Sequence, residues 1–368
     1  METIQRDNLG PAKIIQLYDP QSGLRGILVV DNVTLGPAIG GVRVSPTVSP
    51  LEVSRLARAM TLKNAGAGID HGGGKAGIIA DPHTADLEPL FRAFARMIAG
   101  IDEYIPGPDM GCDEQAMVWL QEEIGRSVGL PAELGGLPLD KLGATGFGVV
   151  ACAEVAARQI GLPLKGARVA VQGFGNVGVA AARYFVEKGA IIVAVSDSRG
   201  TLHDPGGLDI SRLVAAKREQ GVLFKYPGGR QLPVADLFGL ACDILVPAAN
   251  PDVIDMQNVA EVKARLILQG ANIPLTLEAE AELARRGVLV IPDFIANAGG
   301  VIMAAMEYRR KSAEEAFAYI SEKIQANTER LLDKAKKEVR LPRAAAELLA
   351  RERLESGMRY RSWSHKWR

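Results

Sequence analysis

The sequence predicts an α/β fold with two domains, of which the second is built on a doubly wound parallel sheet. Three observations lead to this prediction. The chain has 368 residues, more than one hydrophobic core of ordinary size accommodates. Its composition is 48 % hydrophobic, which is enough to fill two cores. From about residue 140 onward, strand-like and helical segments alternate, an order that is typical of parallel sheets.

The first domain is expected over residues 1–135 and mixes short strands with helices. Apolar runs at 26–30 and 76–80 predict strands. Between them, apolar and small residues recur at helical spacing over 51–68 and predict an amphipathic helix. Two shorter helices are predicted at 87–99 and 113–124.

The second domain is expected over residues 136–310, beginning where a Gly-Gly-Leu-Pro segment changes the character of the chain. A predicted helix at 147–160 opens it. The predicted strands are 168–172, 191–196, 243–246, 266–269 and 288–291. The charged, helical segment 311–368 is expected to return to the first domain.

Charge and cysteine content exclude several classes of protein. The chain carries 43 basic and 43 acidic residues, so it has no overall attraction for nucleic acid or an anionic membrane. Its three cysteines are widely spaced and predict neither a disulfide framework nor a metal site. No signal-peptide pattern and no apolar run of membrane-spanning length is found. We therefore expect a cytoplasmic protein that acts on small molecules.

A glycine pattern stands at the predicted junction between the strand 168–172 and the next helix. It reads Gly173-Phe174-Gly175-Asn176-Val177-Gly178. The first glycine permits a tight turn, the second lets a pyrophosphate approach the backbone, and the third lets helix and strand pack closely. Asp197 ends the next predicted strand, where a carboxylate accepts hydrogen bonds from the ribose of NAD. The pattern predicts a Rossmann-type domain; the alternative is a glycine turn without a ligand.

Three charged residues of the first domain are candidates for chemistry. Lys63 continues the apolar face of the 51–68 helix, where a charge is costly to bury unless it is paired or used. Lys75 follows three glycines at the mouth of the predicted strand 76–80. Asp109 lies in a rigid loop rich in proline and glycine, where a carboxylate can transfer protons. The alternatives are two solvated lysines and a turn aspartate.

A series of motifs in their expected order makes the chain resemble the glutamate/leucine/phenylalanine/valine dehydrogenases, from about Gly23 to Tyr360. The matching stretches are Gly36-Pro37-Ala38-Ile39-Gly40-Gly41, Lys63-Asn64-Ala65, Gly72-Gly73-Gly74-Lys75, Pro108-Asp109-Met110-Gly111, Ala144-Thr145-Gly146, the glycine pattern, Gly270-Ala271-Asn272 and Asn297-Ala298-Gly299-Gly300. The resemblance implies an NAD(P)-dependent enzyme that interconverts an L-amino acid and its 2-oxo acid with release or uptake of ammonia. It also implies that the first domain is the substrate-binding and oligomerisation domain.

The resemblance implies roles for the candidate residues. Lys63 is expected to hold the substrate α-carboxylate, Lys75 to activate water, and Asp109 to move the proton of the amine. Asn297 is expected to position both the substrate and the nicotinamide. The other residues expected at the substrate are Ile39, Gly40, Gly41, Gly107, Val301 and Ala304. The other residues expected at the cofactor are Thr145, Gly173, Phe174, Gly175, Asn176, Val177, Gly178, Asp197, Ser198, Ala248, Ala249 and Asn272.

Two positions predict the class of substrate. Family members that use glutamate carry a lysine directly before the paired glycines and a serine three residues after the valine of Gly-Gly-Val. This chain has Ile39 and Ala304 there, so a buried distal carboxylate would lack a partner. The sequence thus predicts an apolar substrate (leucine, valine, isoleucine, methionine or phenylalanine) and a place near the leucine/phenylalanine branch. The alternatives are a glutamate dehydrogenase and, from another class, a non-catalytic nucleotide-binding regulator.

The remaining expectations concern cofactor and assembly. Asp197 favours NAD because its carboxylate would oppose a 2′-phosphate, whereas the following Ser198 and Arg199 would accept one, so NADP stays possible. The resemblance implies a homo-oligomer, as a hexamer, octamer or dimer. Cys112 replaces the family's usual threonine; this thiol is either reactive or simply a small buried side chain.

Overall fold

The computed structural model describes residues 4–220, 223, 226 and 228–361, and it divides into two compact units. Among the described residues, the first unit comprises those of Met1–Leu139, Val301–Phe317 and Glu347–Arg368. The second unit comprises those of Asp140–Gly300 and Ala318–Ala346.

The first unit contains a five-stranded mixed sheet in the order β1-β2-β4-β3-β5. Its strands are β1 (Lys13–Asp19), β2 (Leu24–Asn32), β3 (Ala38–Val44), β4 (Gly72–Ile78) and β5 (Tyr104–Pro108). Its longer helices are α1 (Pro50–Ala67), α2 (Leu87–Ile98) and α3 (Glu114–Ile124). Strand β3 runs parallel to both β4 and β5, so the carboxyl ends of these three strands meet at one edge of the sheet.

Local sequence explains the limits of α1. The Ser49 hydroxyl accepts a hydrogen bond from the backbone N–H of Glu52 and caps the helix, and Pro50 fits the first turn, where no backbone donor is needed. Gly68 ends the helix in the left-handed conformation, with φ of 76°. Helix α1 covers β4 and β2, and the buried side chains Val53 and Ala57 pack with Val29.

The structure corrects two predictions made for the first unit. Strand β4 begins at Gly72, so Lys75 lies within the strand and does not open it. The segment before Asp109 is strand β5 and not a loop. Pro106 and Pro108 are accommodated there because β5 is the edge strand of the sheet, where a missing backbone donor is tolerated.

The second unit contains a seven-stranded sheet in the order β12-β11-β10-β6-β7-β8-β9. Its strands are β6 (Arg168–Gln172), β7 (Ile191–Asp197), β8 (Gly200–His203), β9 (Arg230–Leu232), β10 (Ile244–Pro247), β11 (Leu266–Leu268) and β12 (Leu289–Ile291). The helices between and around them are α4 (Leu139–Leu142), α5 (Ala144–Gln159), α6 (Asn176–Glu187), α7 (Ile210–Gln220), α8 (Leu277–Arg285) and α9 (Asp293–Ala296). Helix α10 (Gly299–Tyr308) follows, and from Val301 onward it belongs to the first unit, whereas the sequence predicts that the second domain extends to residue 310. Strand β8 pairs in antiparallel fashion with both β7 and β9, and the parallel pairing of β12, β11, β10, β6 and β7 confirms the predicted fold class.

The C-terminal helices divide between the units, which differs from the expected return of 311–368 to the first domain. Most of α11 (Ala313–Glu338) and the start of α12 (Pro342–Met358) belong to the second unit. The reason is packing of α11 against α5. A Cβ atom at Gly148 would lie 2.6 Å from the Ile324 side chain, and the Thr328 hydroxyl lies 3.4 Å from Cys152 Sγ. Among the described helices, none is both long enough and apolar enough to cross a bilayer.

Arg343 of α12 joins a buried ionic cluster in the second unit. Its guanidinium lies 2.8 Å from Glu280 Oε1 and 3.0 Å from Asp293 Oδ1, and it donates a further hydrogen bond to Gln269. The side chains of Arg343, Glu280 and Asp293 are 12 %, 5 % and 9 % exposed. Two buried carboxylates thus depend on one cation.

Arg343→Met should lower the free energy of unfolding by about 3–5 kcal/mol, because it leaves both carboxylates without their cation. Urea denaturation of this variant and of Arg340→Met measures the effect. Arg340 forms an exposed ion pair with Glu338, and its loss should cost no more than about 1 kcal/mol. Equal effects of the two substitutions would contradict the role given to the cluster.

Candidate functional site

The first unit brings Lys75 and Asp109 together. Lys75 lies on β4 and is buried, and Asp109 directly follows β5. The Lys75 Nζ atom lies 2.9 Å from Asp109 Oδ2. Strand β3 runs between β4 and β5, and it leaves room for this ion pair only because residue 41 is glycine. A Cβ atom there would lie 2.7 Å from Asp109 Cβ and 3.3 Å from Lys75 Nζ.

A second cation contacts the same carboxylate. Arg43 Nε on β3 lies 2.9 Å from Asp109 Oδ2, and Arg43 Nη1 lies 2.6 Å from Glu52 Oε1. Burial opposes ionisation of Asp109, but Lys75 and Arg43 outweigh it and hold the pKa of the carboxyl below its usual value. Asp109 is therefore an ionised proton acceptor near neutral pH.

The Cys112 thiol is part of the turn that holds Asp109. Its Sγ donates to the Val42 carbonyl at 3.1 Å and accepts the backbone N–H of Asp109 at 3.3 Å. Burial and the neighbouring carboxylates raise the pKa of the thiol to about 12. The thiol is thus protonated at neutral pH, and of the two interpretations given above its structural role is the one supported.

The other substrate candidates of the first unit lie on β3, β5, α1 and α10. Ile39 is 3 % exposed, and its neighbours in the sheet are Gly73 and Ile105. Lys63 is half-buried on α1, and Ala304 is buried on α10. The candidates not named so far in this unit are Gly40, Gly107 and Val301, of which the first two are buried and the third is half-buried.

The glycine pattern in the second unit has the geometry of a phosphate site. Gly173 follows β6 with φ of 90°, and a Cβ atom at Gly178 would lie 1.8 Å from the Gly173 carbonyl oxygen. Apart from Gly175 itself and its two chain neighbours, no described residue has an atom within 4 Å of the position that a Gly175 Cβ would take. Helix α6 begins at Asn176 without a side-chain cap, so its first N–H groups are available to an anion. Phe174 is buried and Val177 half-buried around this turn.

Asp197 ends β7 beside this turn. Its Oδ1 accepts the backbone N–H of Arg199 at 2.9 Å, while Ser198 is exposed. Lys217 of α7, which the sequence alone did not single out, donates from Nζ to the Phe174 carbonyl and lies 5.6 Å from the centre of the Phe174 ring. Among the described residues, the acidic Asp197 and the basic Lys217 thus lie at this turn.

Asn272 and Asn297 are held together in the second unit. Asn297 Nδ2 donates to Asn272 Oδ1 at 3.0 Å. Asn297 Oδ1 is buried and accepts no hydrogen bond from the described residues. A buried acceptor without a donor is costly, and the amide of a nicotinamide would supply that donor. Ile273, with φ of 43°, keeps the strained turn after Asn272 because its N–H donates to Asp293 Oδ2 at 2.9 Å.

The remaining cofactor candidates of the second unit are Thr145, Ala248 and Ala249, and close backbone contacts hold the segments that carry them. A Cβ atom at Gly299 would lie 2.1 Å from the Ala144 carbonyl oxygen, one residue before Thr145. The Ala248 N–H donates to the Gln172 carbonyl at 2.7 Å, and the Ala249 N–H donates to the Gln172 side chain at 3.2 Å. The open turn, the uncapped helix and the unsatisfied Asn297 oxygen together fit a bound dinucleotide.

Sequence reasoning missed Arg43, Glu52 and Lys217. The period-two alternation of β3 puts Ile39, Gly41 and Arg43 on one face, but β3 was not recognised as a strand from the sequence. Nothing local in the sequence identifies Glu52 or Lys217, because their partners lie on other elements.

Comparison with known proteins gives matches over nearly the whole chain. A family model described as Glutamate/Leucine/Phenylalanine/Valine dehydrogenase matches residues 135–362, and one described as Glu/Leu/Phe/Val dehydrogenase, dimerisation domain, matches residues 11–126. A glutamate dehydrogenase of Aeropyrum pernix is 40 % identical over 357 residues, which cover 90 % of this chain and 85 % of the relative.

Two solved structures extend the comparison. The hetero-hexameric glutamate dehydrogenase of Thermus thermophilus, in a leucine-bound form, has a TM-score of 0.84 at 32 % identity and covers 95 % of this chain and 89 % of its own. The L-tryptophan dehydrogenase of Nostoc punctiforme has a TM-score of 0.74 at 27 % identity. The match covers 94 % of this chain and 96 % of the tryptophan dehydrogenase. Proteins of this fold therefore carry names for both an acidic and an apolar substrate.

Proposed function

We propose a substrate class, residue roles and a cofactor preference for this chain, which belongs to the glutamate/leucine/phenylalanine/valine dehydrogenase family and is an NAD(P)-dependent amino-acid dehydrogenase. The proposed reaction is the reversible oxidative deamination of an L-amino acid with an apolar side chain to its 2-oxo acid and ammonia. The observation that carries the choice of substrate is Ile39, which is buried between Gly73 and Ile105.

The proposed chemistry rests on the Lys75–Asp109 pair. Lys63 holds the substrate α-carboxylate. Asp109 takes a proton from the substrate ammonium, which makes the nitrogen lone pair available at Cα. NAD(P), when bound, supplies the acceptor for the hydride of Cα. Lys75, once it has given its own proton to solvent, takes a proton from the water that then adds at Cα. Asp109 returns its proton to the amine, which departs as ammonia, and the remaining hydroxyl proton passes to solvent as the 2-oxo group forms.

Geometry around Ile39 supports an apolar substrate side chain. Neither of its sheet neighbours carries a charge. Arg43 on the same strand is about 13 Å further along, and its guanidinium already contacts Asp109 and Glu52. A distal carboxylate beside Ile39 and Ala304 would be buried without a partner, which costs several kcal/mol.

Glutamate is the second candidate substrate, and the comparisons favour it. The curated relatives carry the name glutamate dehydrogenase. The name of a relative that is 40 % identical does not determine which residues form the side-chain pocket of this chain. For the choice of substrate we therefore give Ile39 more weight than the names of the relatives. The tryptophan dehydrogenase of similar fold is consistent with this choice.

We further propose that the cofactor is NAD in preference to NADP and that the chain forms a homo-oligomer through its first unit. The Asp197 carboxylate would repel a 2′-phosphate, whereas Ser198, Arg199 and Lys217 reduce the preference. Oligomerisation is supported by the match of residues 11–126 to a dimerisation domain and by the hexameric assembly in the name of the Thermus relative.

Lys75→Ala and Asp109→Asn should each lower kcat by roughly a hundredfold or more, because each removes a proton-transfer group. NADH should still bind, as measured by its fluorescence, because neither residue belongs to the second unit. A variant that binds NADH and keeps more than a few per cent of kcat would refute the role of its residue. A parent protein that binds NADH but turns over no L-amino acid would instead favour the regulator.

Leucine or phenylalanine should exceed glutamate in kcat/KM by roughly a hundredfold or more, which corresponds to about 2.8 kcal/mol. Ile39→Lys should raise kcat/KM for glutamate and lower it for leucine, because it restores a cation at this position. Ile39→Met, of similar length and without charge, is the control and should not favour glutamate. Glutamate as the best substrate of the parent protein would show that another cation reaches its distal carboxylate.

Asp197→Ala should reduce the NAD/NADP ratio of kcat/KM by about tenfold, that is by about 1.4 kcal/mol, because it removes the charge that opposes the 2′-phosphate. The ratio is measured with both cofactors at one saturating amino-acid concentration. Asp204→Ala, at an exposed turn of the same unit, is the control. A parent protein that prefers NADP would overturn the assignment.

A further inference from the structure

We propose that Arg43 is a positioning residue that keeps Asp109 ionised and correctly oriented throughout turnover, including the steps in which Lys75 is uncharged. This inference rests on the roles proposed above for Lys75 and Asp109. Arg43 is not assigned to contact the substrate; it acts through Asp109.

Both cations contact the same oxygen atom of the Asp109 carboxylate. Lys75 Nζ and Arg43 Nε each lie 2.9 Å from the same atom, Oδ2. We therefore assign Oδ1 to proton exchange with the substrate amine. A carboxylate held at one oxygen by two donors from neighbouring strands has little rotational freedom, and proton transfer requires such a fixed position.

Glu52 fixes the guanidinium from the opposite side. In a capping box the glutamate three residues after the cap returns to the backbone N–H of the cap. Here Ser49 caps α1 in the expected way, but the carboxylate of Glu52 instead lies 2.6 Å from Arg43 Nη1. Glu52 thus orients Arg43, and Arg43 presents Nε to Asp109.

The two cations differ in whether they can lose a proton. Lysine can be deprotonated within an enzyme site, whereas arginine keeps its charge. While Lys75 is neutral, Asp109 would be a half-buried carboxylate without a cation if Arg43 were absent. Burial raises the pKa of such a group and favours its neutral form, so Asp109 would lose its capacity to accept a proton.

The other titratable groups around Asp109 do not replace Arg43. The groups that face the carboxylate or its partners are Lys75 of β4, Arg43 of β3, Tyr104 of β5, Cys112 of the following turn, Asp113 beside that cysteine and Glu52 of α1. Burial raises the pKa of Tyr104 well above its usual value and that of Cys112 to about 12. Both are thus neutral at the pH of the reaction.

The test is the pH dependence of kcat/KM for deamination in Arg43→Gln. With the cation removed, the Lys75–Asp109 pair binds a proton more readily, so the acid limb should move to higher pH by about one pH unit or more. At a fixed pH on that limb, kcat/KM should then be about tenfold or more below the parent value. At alkaline pH it should recover to within a few-fold of the parent value. Arg43→Lys should restore most of the parent profile.

Arg58→Gln is the matched control. Arg58 is another half-buried arginine of the first unit, and it pairs with Asp7 and Asp31. This variant should unfold at a lower urea concentration but keep the parent pH profile. A profile of Arg43→Gln that superimposes on that of the parent, or that falls equally at every pH, would overturn the proposal.

A second readout separates this proposal from the proposed function, because it needs no turnover. Infrared difference spectra record the C=O band of a protonated carboxyl as the pH is lowered, and the band missing in Asp109→Asn belongs to Asp109. This band should appear at a higher pH in Arg43→Gln than in the parent protein. Unchanged titration of the band would refute the role of Arg43 even if no substrate had been found.

Discussion

The ion pair between the buried Lys75 and the half-buried Asp109 constrains the strands that surround it. A lysine within a central strand reaches a carboxylate at the end of another strand only if the strand between them lacks side-chain volume. Gly41 meets this requirement, since a Cβ atom there would clash with Asp109. The neighbouring Gly40 has a backbone constraint of its own, because a Cβ atom there would lie 1.7 Å from the Gly74 carbonyl oxygen. Gly41 therefore follows from the ion pair, and Gly40 follows from the close approach of the backbones of β3 and β4.

The second unit reaches its function by close backbone approach as well, but for a different reason. Gly178 packs against the Gly173 carbonyl, and Gly299 packs against that of Ala144. In the first unit the absence of side chains makes room for two charged groups, whereas here it brings helix termini and amide groups close to the candidate dinucleotide site. Similar glycine pairs thus perform separate physical tasks in the two units.

The sequence predicts the fold class because local patterns determine it. The alternating strands and helices of the second unit are each short, regular and flanked by turns, and the glycine pattern has its expected neighbours in β6 and α6. The strands β3 and β5 were missed because glycine and proline normally weaken strands. They are strands here because β3 is held between β4 and β5, and because β5 lies at the edge of the sheet. Tertiary context, which no local pattern carries, decides both.

The same distinction applies to the site. Lys75 and Asp109 are recognisable because each stands in a motif, although no spacing in the sequence indicates that they form an ion pair. Arg43 and Glu52 are invisible in a local pattern, since Arg43 pairs with a carboxylate 66 residues further along the chain. Their contribution appears only when the register of β3 against β5 is known. Long-range ion pairs are thus the part of the site that sequence reasoning leaves open.

One face of β3 combines three functions at steps of about 6.6 Å. Gly41 provides room for the Lys75–Asp109 ion pair, Arg43 contacts Asp109, and Ile39 is the residue that the proposed function assigns to the substrate side chain. These positions alternate along the strand, so a change at Ile39 alters the choice of substrate without entering the ion pair two residues away. On the proposed function, the chemistry of deamination would therefore be unaffected by the choice of residue at position 39. Both tasks of the proposed function thus lie on a single strand, in which Ile39 concerns the substrate side chain and Gly41 and Arg43 concern the Lys75–Asp109 pair.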